Sequence, residues 1–215
     1  MIFDLDGVLI DSEELWARAR EQIAREHGGS WDGTTQRRMM GMSSTEWSRF
    51  MHEELGVELP PHEISSRVVD RLAELYRRDL PLIPSAPDAV KRLAAVWPLG
   101  LASSANRPLI ELVLELAGLA SSFSATVSSE EVERGKPAPD VYLEAAARLG
   151  VAPHSAVVVE DSTNGIRAGK AAGMSVIAIP DSAYPPEAAA LAEADLVLGS
   201  IEELTPDAVR SAASE

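Results

Sequence analysis

Asp4 and Asp6 flank a single leucine behind a short apolar start, and Gly7 follows at once in "MIFDLDGVLIDS". Two carboxylates one residue apart at the mouth of a buried strand repel each other, and burial raises the cost. Something positive is therefore expected beside them. Elsewhere Ser103 and Ser104 end the run "LGLASS", Glu160 and Asp161 end "VVVED", and Lys136 sits in "GKPAPD". Carboxylate oxygens in that number suit a hard divalent cation, and Mg²⁺ is the usual one beside phosphate. A carboxylate aimed at phosphorus can attack it and form an acyl phosphate. A second carboxyl group can protonate the leaving alkoxide and then deprotonate the attacking water. An ammonium and two hydroxyls would neutralise the equatorial oxygens, where charge gathers in phosphoryl transfer. Backbone N–H groups of the loop through Gly7 would add donors.

The elements that carry these residues follow from the apolar pattern. From Pro84 onward short β-rich runs alternate with helical ones: "LGLASS", "FSATVSS", "SAVVVED", "SVIAIP" and "LVLG" are each preceded or followed by a helix-length segment. That alternation predicts βαβ units and a parallel sheet buried on both faces, with "MIFDL" as one more strand. Residues 12 to about 80 differ, being charged and helically spaced, as at Leu15, Ala19, Ile23 and Val68, Leu72, Leu75. Asp11 with Glu14 three residues on predicts a capping box at the start of that segment. The prolines of "LPLIPSAP" close it. The expected fold class is α/β, a Rossmann-like parallel-sheet core (1–11 and 81–215) with a helical cap domain (12–80) inserted after the first strand. In such a sheet ligands bind beyond the carboxyl ends of the strands, where Asp4, Asp6, Ser103, Ser104, Lys136, Glu160 and Asp161 would converge.

Bulk properties narrow the partners. The 215 residues carry a formal net charge of −15, which argues against nucleic acid and against an anionic membrane surface. No stretch approaches the roughly 18 apolar residues of a membrane span, and no signal sequence opens the chain. The absence of cysteine excludes disulfide and thiolate chemistry and makes a cytoplasmic home the expectation. A monomer or weak dimer is expected. A first strand opening at Met1 fits a natural start a residue or two earlier. "GIRAGKAAG" is not a phosphate-binding P-loop, because its glycine spacing is short and Ala171 stands where Ser or Thr is required.

With these residues in view the sequence resembles the haloacid dehalogenase-like (HAD) superfamily, in the branch with a helical cap after strand one, close to its β-phosphoglucomutases and sugar-phosphate phosphatases. "FDLDGVLIDS" matches the first motif of that family, "LASSAN" the second, "KPAPDVY" the third and "VVVEDSTNGIRAG" the fourth. The resemblance implies Asp4 as nucleophile and Asp6 as general acid/base, with Ser103 and Lys136 as phosphate ligands. It implies Mg²⁺ held by Asp4, the backbone carbonyl of Asp6, and Asp161 with help from Glu160. Gly7, Ser104 and Asn106 are expected around the substrate.

The same resemblance narrows the reaction to hydrolysis of a small phosphorylated metabolite, a sugar or polyol phosphate. Dehalogenases of the superfamily lack the second aspartate, which is present here as Asp6. Phosphonate-cleaving relatives use a cap lysine, and the lysines of this chain are Lys91, Lys136 and Lys170, none of them in residues 12–80. The mutases carry a cap histidine where this chain has Trp16 and an arginine where it has Ser44, so a phosphosugar mutase is the second reading. A phosphate-sensing protein without catalysis is the third, disfavoured by the intact Asp4, Asp6, Lys136 and Asp161. In the cap, Trp16 with Ser43 and Ser44 of "MMGMSST" is expected to face the substrate. Packing inside the cap is the competing role for Trp16, Met39 and Met40. Arg37 and Arg38 offer contact with a second anionic group, against a simple exposed role.

Overall fold

A computed structural model of the protein describes residues 1–40 and 42–213. Strands β1 (Ile2–Phe3), β2 (Gly100–Ser103), β3 (Ala125–Ser128), β4 (Val157–Glu160), β5 (Ser175–Ala178) and β6 (Leu196–Val197) form one parallel sheet in the order β3-β2-β1-β4-β5-β6. The expected α/β architecture is therefore present. Alternate residues of the strands feed two cores. Phe3, Leu101, Val159 and Ile177 join one cluster, while Ile2, Ala102, Val127, Val158 and Val176 join the other. Each fully buried aliphatic side chain contributes about 1.5–3 kcal/mol, which is why both faces must be covered.

Between β1 and β2 the chain forms α1 (Glu13–Glu26), α2 (Thr35–Met39), α3 (Ser44–Glu53) and α4 (Pro61–Arg78), and then α5 (Ala86–Ala94). The buried seam of α4 is Ile64, Val68, Leu72 and Tyr76, spaced by four, and it packs against α1 and α3. Trp16, Ala19 and Ile23 supply the matching stripe of α1, and Trp47 and Met51 that of α3. The expected stripe thus shifts at two places. Trp16 and Tyr76, larger than their neighbours, take the seam, and Leu15 and Leu75 are left half-buried. The remaining helices follow their strands: α6 (Arg107–Leu116), α7 (Asp140–Leu149), α8 (Thr163–Ala171), α9 (Ala188–Leu191) and α10 (Pro206–Ala212). Among the described residues no helix is long and apolar enough to cross a membrane.

The capping box expected at Asp11 and Glu14 is not formed. Ser12 occupies the cap position of α1 without a side-chain cap, because its hydroxyl donates instead to Oδ1 of Asp6. Asp11 is exposed. The two crossings that flank the helical segment lie side by side. Asp11 N–H donates to Pro81 O at 2.8 Å, and Ile83 N–H to Leu9 O at 3.0 Å.

Candidate active site

The sheet reverses its winding at β1, between β2 and β4, and a crevice opens there beyond the strand ends. β1 delivers Asp4, β4 delivers Glu160 and Asp161, and the segment after β3 delivers Lys136. One carboxylate oxygen each of Asp4, Glu160 and Asp161 lies within 4.8 Å of the others. The Lys136 ammonium, 5% exposed as a residue, stands 2.9 Å from Asp4 Oδ1 and 2.7 Å from Glu160 Oε1, and donates to Ala102 O at 3.2 Å. Here is the positive partner that the paired aspartates required. Tyr142 backs it, its ring 4.8 Å away and its hydroxyl donating to Glu160 Oε1 at 2.7 Å.

The three carboxylates are not equivalent. Both oxygens of Glu160 are committed: Oε1 to Lys136 and Tyr142, Oε2 to the N–H groups of Asp161 and Ser162 and to the Ser162 hydroxyl. Burial acts upward on its carboxyl, but Lys136 and these donors hold it below the ordinary value. Burial pulls the Lys136 ammonium down, yet Asp4 and Glu160 outweigh it and hold it above the lysine range. Asp4 is different. Burial pushes it up to about 7, with Lys136 opposing and Glu160 and Asp6 adding. Its Oδ1 contacts the ammonium but receives no aligned hydrogen bond. Burial, then Glu160 and Asp4, raise Asp161 well above the carboxylate range, and among the described residues no donor reaches its carboxylate. Buried Asp4 and half-buried Asp161, with Glu160 beside them and one ammonium for the three, form a donor set that fits a hard divalent cation.

Asp6 lies at the rim. Its Oδ1 accepts from Ser12 Oγ and, at 3.1 Å, from Trp16 Nε1. Trp16 therefore does more than pack the cap. It is buried against Trp47, borders the crevice, and holds Asp6 across the junction of helix and strand. The loop turns at Gly7 with φ +75°, and a Cβ there would lie 2.0 Å from Asp161 Oδ2. The Gly7 N–H donates to Ile10 O at 2.7 Å, within the turn. What the glycine supplies is room for Asp161.

The crevice opens into a cavity of ≈ 380 Å³ bordered by Asp4, Asp6, Lys136, Asp161 and Ser104 on the strand side, and by Glu13, Trp16, Arg20, Met39 and Trp47 on the helical side. Ser103 is fully buried, its Oγ accepting from Ala105 N–H at 3.0 Å. Three expected substrate contacts are placed elsewhere. Asn106 donates to Glu130 Oε1 at 2.7 Å and to Ser65 Oγ at 3.4 Å. Ser44 donates to the same Glu130 oxygen at 3.4 Å, and Ser43 caps α3 in a capping box with Glu46. Glu130 thereby ties helix α3 to the N-terminus of α6, and Asn106 ties in α4 through Ser65, a role for which the sequence carries no local signal. Gly41 of the same turn lies outside the described residues. Glu13 and Arg20 were also missed. An arginine one turn beyond Trp16 on an apolar stripe is the one sign that could have flagged Arg20.

Residues 1–173 match the haloacid dehalogenase-like hydrolase family. The chain is 35% identical over 214 residues to a probable pseudouridine-5'-phosphatase of Drosophila melanogaster, covering 96% of this chain and 91% of that protein. It is 37% identical over 215 residues to hexitol phosphatase B of Escherichia coli (strain K12), covering 95% and 93%. Among solved structures, CbbY from Rhodobacter sphaeroides in complex with phosphate superposes with a TM-score of 0.87 at 28% identity, covering 97% of each chain.

Substituting Gly7→Ala tests the close approach. The Asp161 carboxylate must move by more than an ångström, and a displacement of that size costs about a hundredfold in rate. We expect phosphate release from p-nitrophenyl phosphate to fall by about that factor while the far-ultraviolet dichroism is kept. Parental activity would show that the approach is not constrained.

Proposed function

The chain belongs to the haloacid dehalogenase-like hydrolase family, and on that ground we propose that it hydrolyses a small sugar or polyol phosphate through a covalent acyl phosphate on Asp4. It is a phosphoric monoester hydrolase, like the sugar-phosphate phosphatases it resembles. The observation that carries the mechanism is Asp4 itself: a carboxylate on the cavity wall whose Oδ1 lies 2.9 Å from the Lys136 ammonium. A carboxylate oxygen of Asp4 forms a bond to phosphorus as the bond to the leaving alkoxide breaks. Asp6 gives its proton to the alkoxide. Asp6 then takes a proton from water, whose oxygen attacks phosphorus and frees the Asp4 carboxylate and inorganic phosphate.

Lys136 and the Ser103 hydroxyl are assigned to the phosphate oxygens, Glu160 to holding Lys136, and Ser12 and Trp16 to fixing the Asp6 carboxyl. Mg²⁺ fits the carboxylates of Asp4 and Asp161 and the Asp6 carbonyl, with Glu160 shared with Lys136. When bound it offsets the repulsion between a carboxylate nucleophile and a phosphate dianion. Residues 12–80 are assigned as a cap over a core of 1–11 and 81–215, with the cap choosing the substrate. A cytoplasmic setting suits a cysteine-free enzyme of this kind.

Asp4→Asn keeps the shape and removes the nucleophile, so turnover on any phosphomonoester should fall by at least about a thousandfold while the far-ultraviolet dichroism is kept. Activity within about tenfold of the parent would take the nucleophilic role from Asp4.

EDTA should silence the enzyme and excess Mg²⁺ restore it. Because burial sets Asp4 at about 7, a proton competes for the oxygen that a cation needs as pH falls below that value. The apparent Mg²⁺ affinity should drop by about tenfold per pH unit there. An affinity flat between about pH 8 and 5 would exclude the competition.

Trp16 and Ser44 stand where the mutases carry histidine and arginine. β-Glucose 1-phosphate, if turned over, should therefore release inorganic phosphate. Bisphosphate-dependent formation of glucose 6-phosphate would favour the mutase reading.

A further inference from the structure

Arg20 is a full charge placed where water hardly reaches, 5% exposed. Its guanidinium lies 4.5 Å from the ring centre of Trp16 and 4.9 Å from that of Trp47. The indole faces offset part of the desolvation, but they do not satisfy its N–H groups. Among the described residues one of these reaches an acceptor, Gln36 Oε1 at 3.3 Å, and Nε is buried with none. Burial pulls the guanidinium down to about 10 against the pull of Glu13 and Asp6, so it is charged at neutral pH. Arg20 borders the cavity that holds Asp4. A charged donor array left this empty on a cavity wall is arranged for an acceptor brought by a ligand.

The neighbouring groups limit which ligand. Glu13 borders the same cavity, and its Oε2 accepts from Gln36 Nε2 at 2.8 Å. Glu13, Gln36 and Arg20 thus form a chain with an acceptor at one end, a donor fork at the other and a bridging amide, and the two charges cancel. A second phosphate or a carboxylate on the substrate would gain from Arg20 and lose to Glu13. A hydroxyl can accept from one and donate to the other. Arg37 also borders the cavity, but it is exposed and its charge is screened by water.

We propose that Glu13, Gln36 and Arg20 form the subsite that reads the hydroxyls of the leaving alcohol, with Arg20 as its specificity-determining residue, and that the preferred substrate is the monophosphate of a neutral polyhydroxy compound. This deepens the phosphatase reading and rests on it.

Steady-state kinetics on a hexitol monophosphate, a hexose bisphosphate and p-nitrophenyl phosphate decide the matter. The parent should favour the monophosphate over the bisphosphate in kcat/KM. Arg20→Met should lower the hexitol-to-aryl ratio of kcat/KM by about tenfold or more, through KM. Glu13→Gln leaves Arg20 uncompensated, so it should raise the bisphosphate-to-monophosphate ratio by about tenfold. If Arg20→Met loses its melting transition, Glu13→Gln decides alone. Folded variants that keep both ratios within about twofold of the parent, or a parent that prefers the bisphosphate, would overturn the subsite. Parental hydrolysis of p-nitrophenyl phosphate tests the phosphatase reading separately.

Discussion

Burying one ammonium among carboxylates sets the terms for the rest of this structure. An ion moved out of water costs several kcal/mol, and it is tolerated only where partners surround it. Lys136 meets Asp4, Glu160 and a backbone carbonyl, and Glu160 in turn takes four further donors. That packing leaves no space for side chains nearby. Besides Gly7, Gly165 in α8 is forced, since a Cβ there would lie 1.6 Å from Glu160 Oε1. Tyr142 in α7 must be aromatic and hydroxylated to pack the ammonium and to bond Glu160 together. The sequence around three strand ends is thus dictated by one buried charge and its neutralisation.

The fold and the strand-end chemistry were legible because both are local. Alternation of β-rich and helical runs announces a parallel sheet, and strand ends in such a sheet are where ligands bind. Asp4, Asp6, Lys136, Glu160 and Asp161 needed no knowledge of side-chain direction to be found. The helical segment was harder because its polar residues spend themselves on partners far away in the chain. Asn106 and Ser44 look like site hydroxyls and amides, yet both are drawn to Glu130, which belongs to the turn after β3. Ser12 stands at the cap position of α1 and serves Asp6. Nothing in a linear pattern distinguishes a donor that serves its own helix from one that serves another element.

Trp16 shows how the two regions are coupled. One indole packs on Trp47, faces the Arg20 guanidinium and donates its N–H to Asp6. A shift of α1 relative to the sheet therefore changes the surroundings of the Asp6 carboxyl and the shape of the cavity together.

The pairing of the two crossings has a further consequence. With Asp11 bonded to Pro81 and Ile83 to Leu9, the ends of the helical segment lie as close as the strands of a hairpin. The sheet on the other side of that pairing has no means of registering how many residues lie between them. Turns of the insert remote from the crossings and from Trp16 can therefore lengthen or shrink while strand order stays as it is.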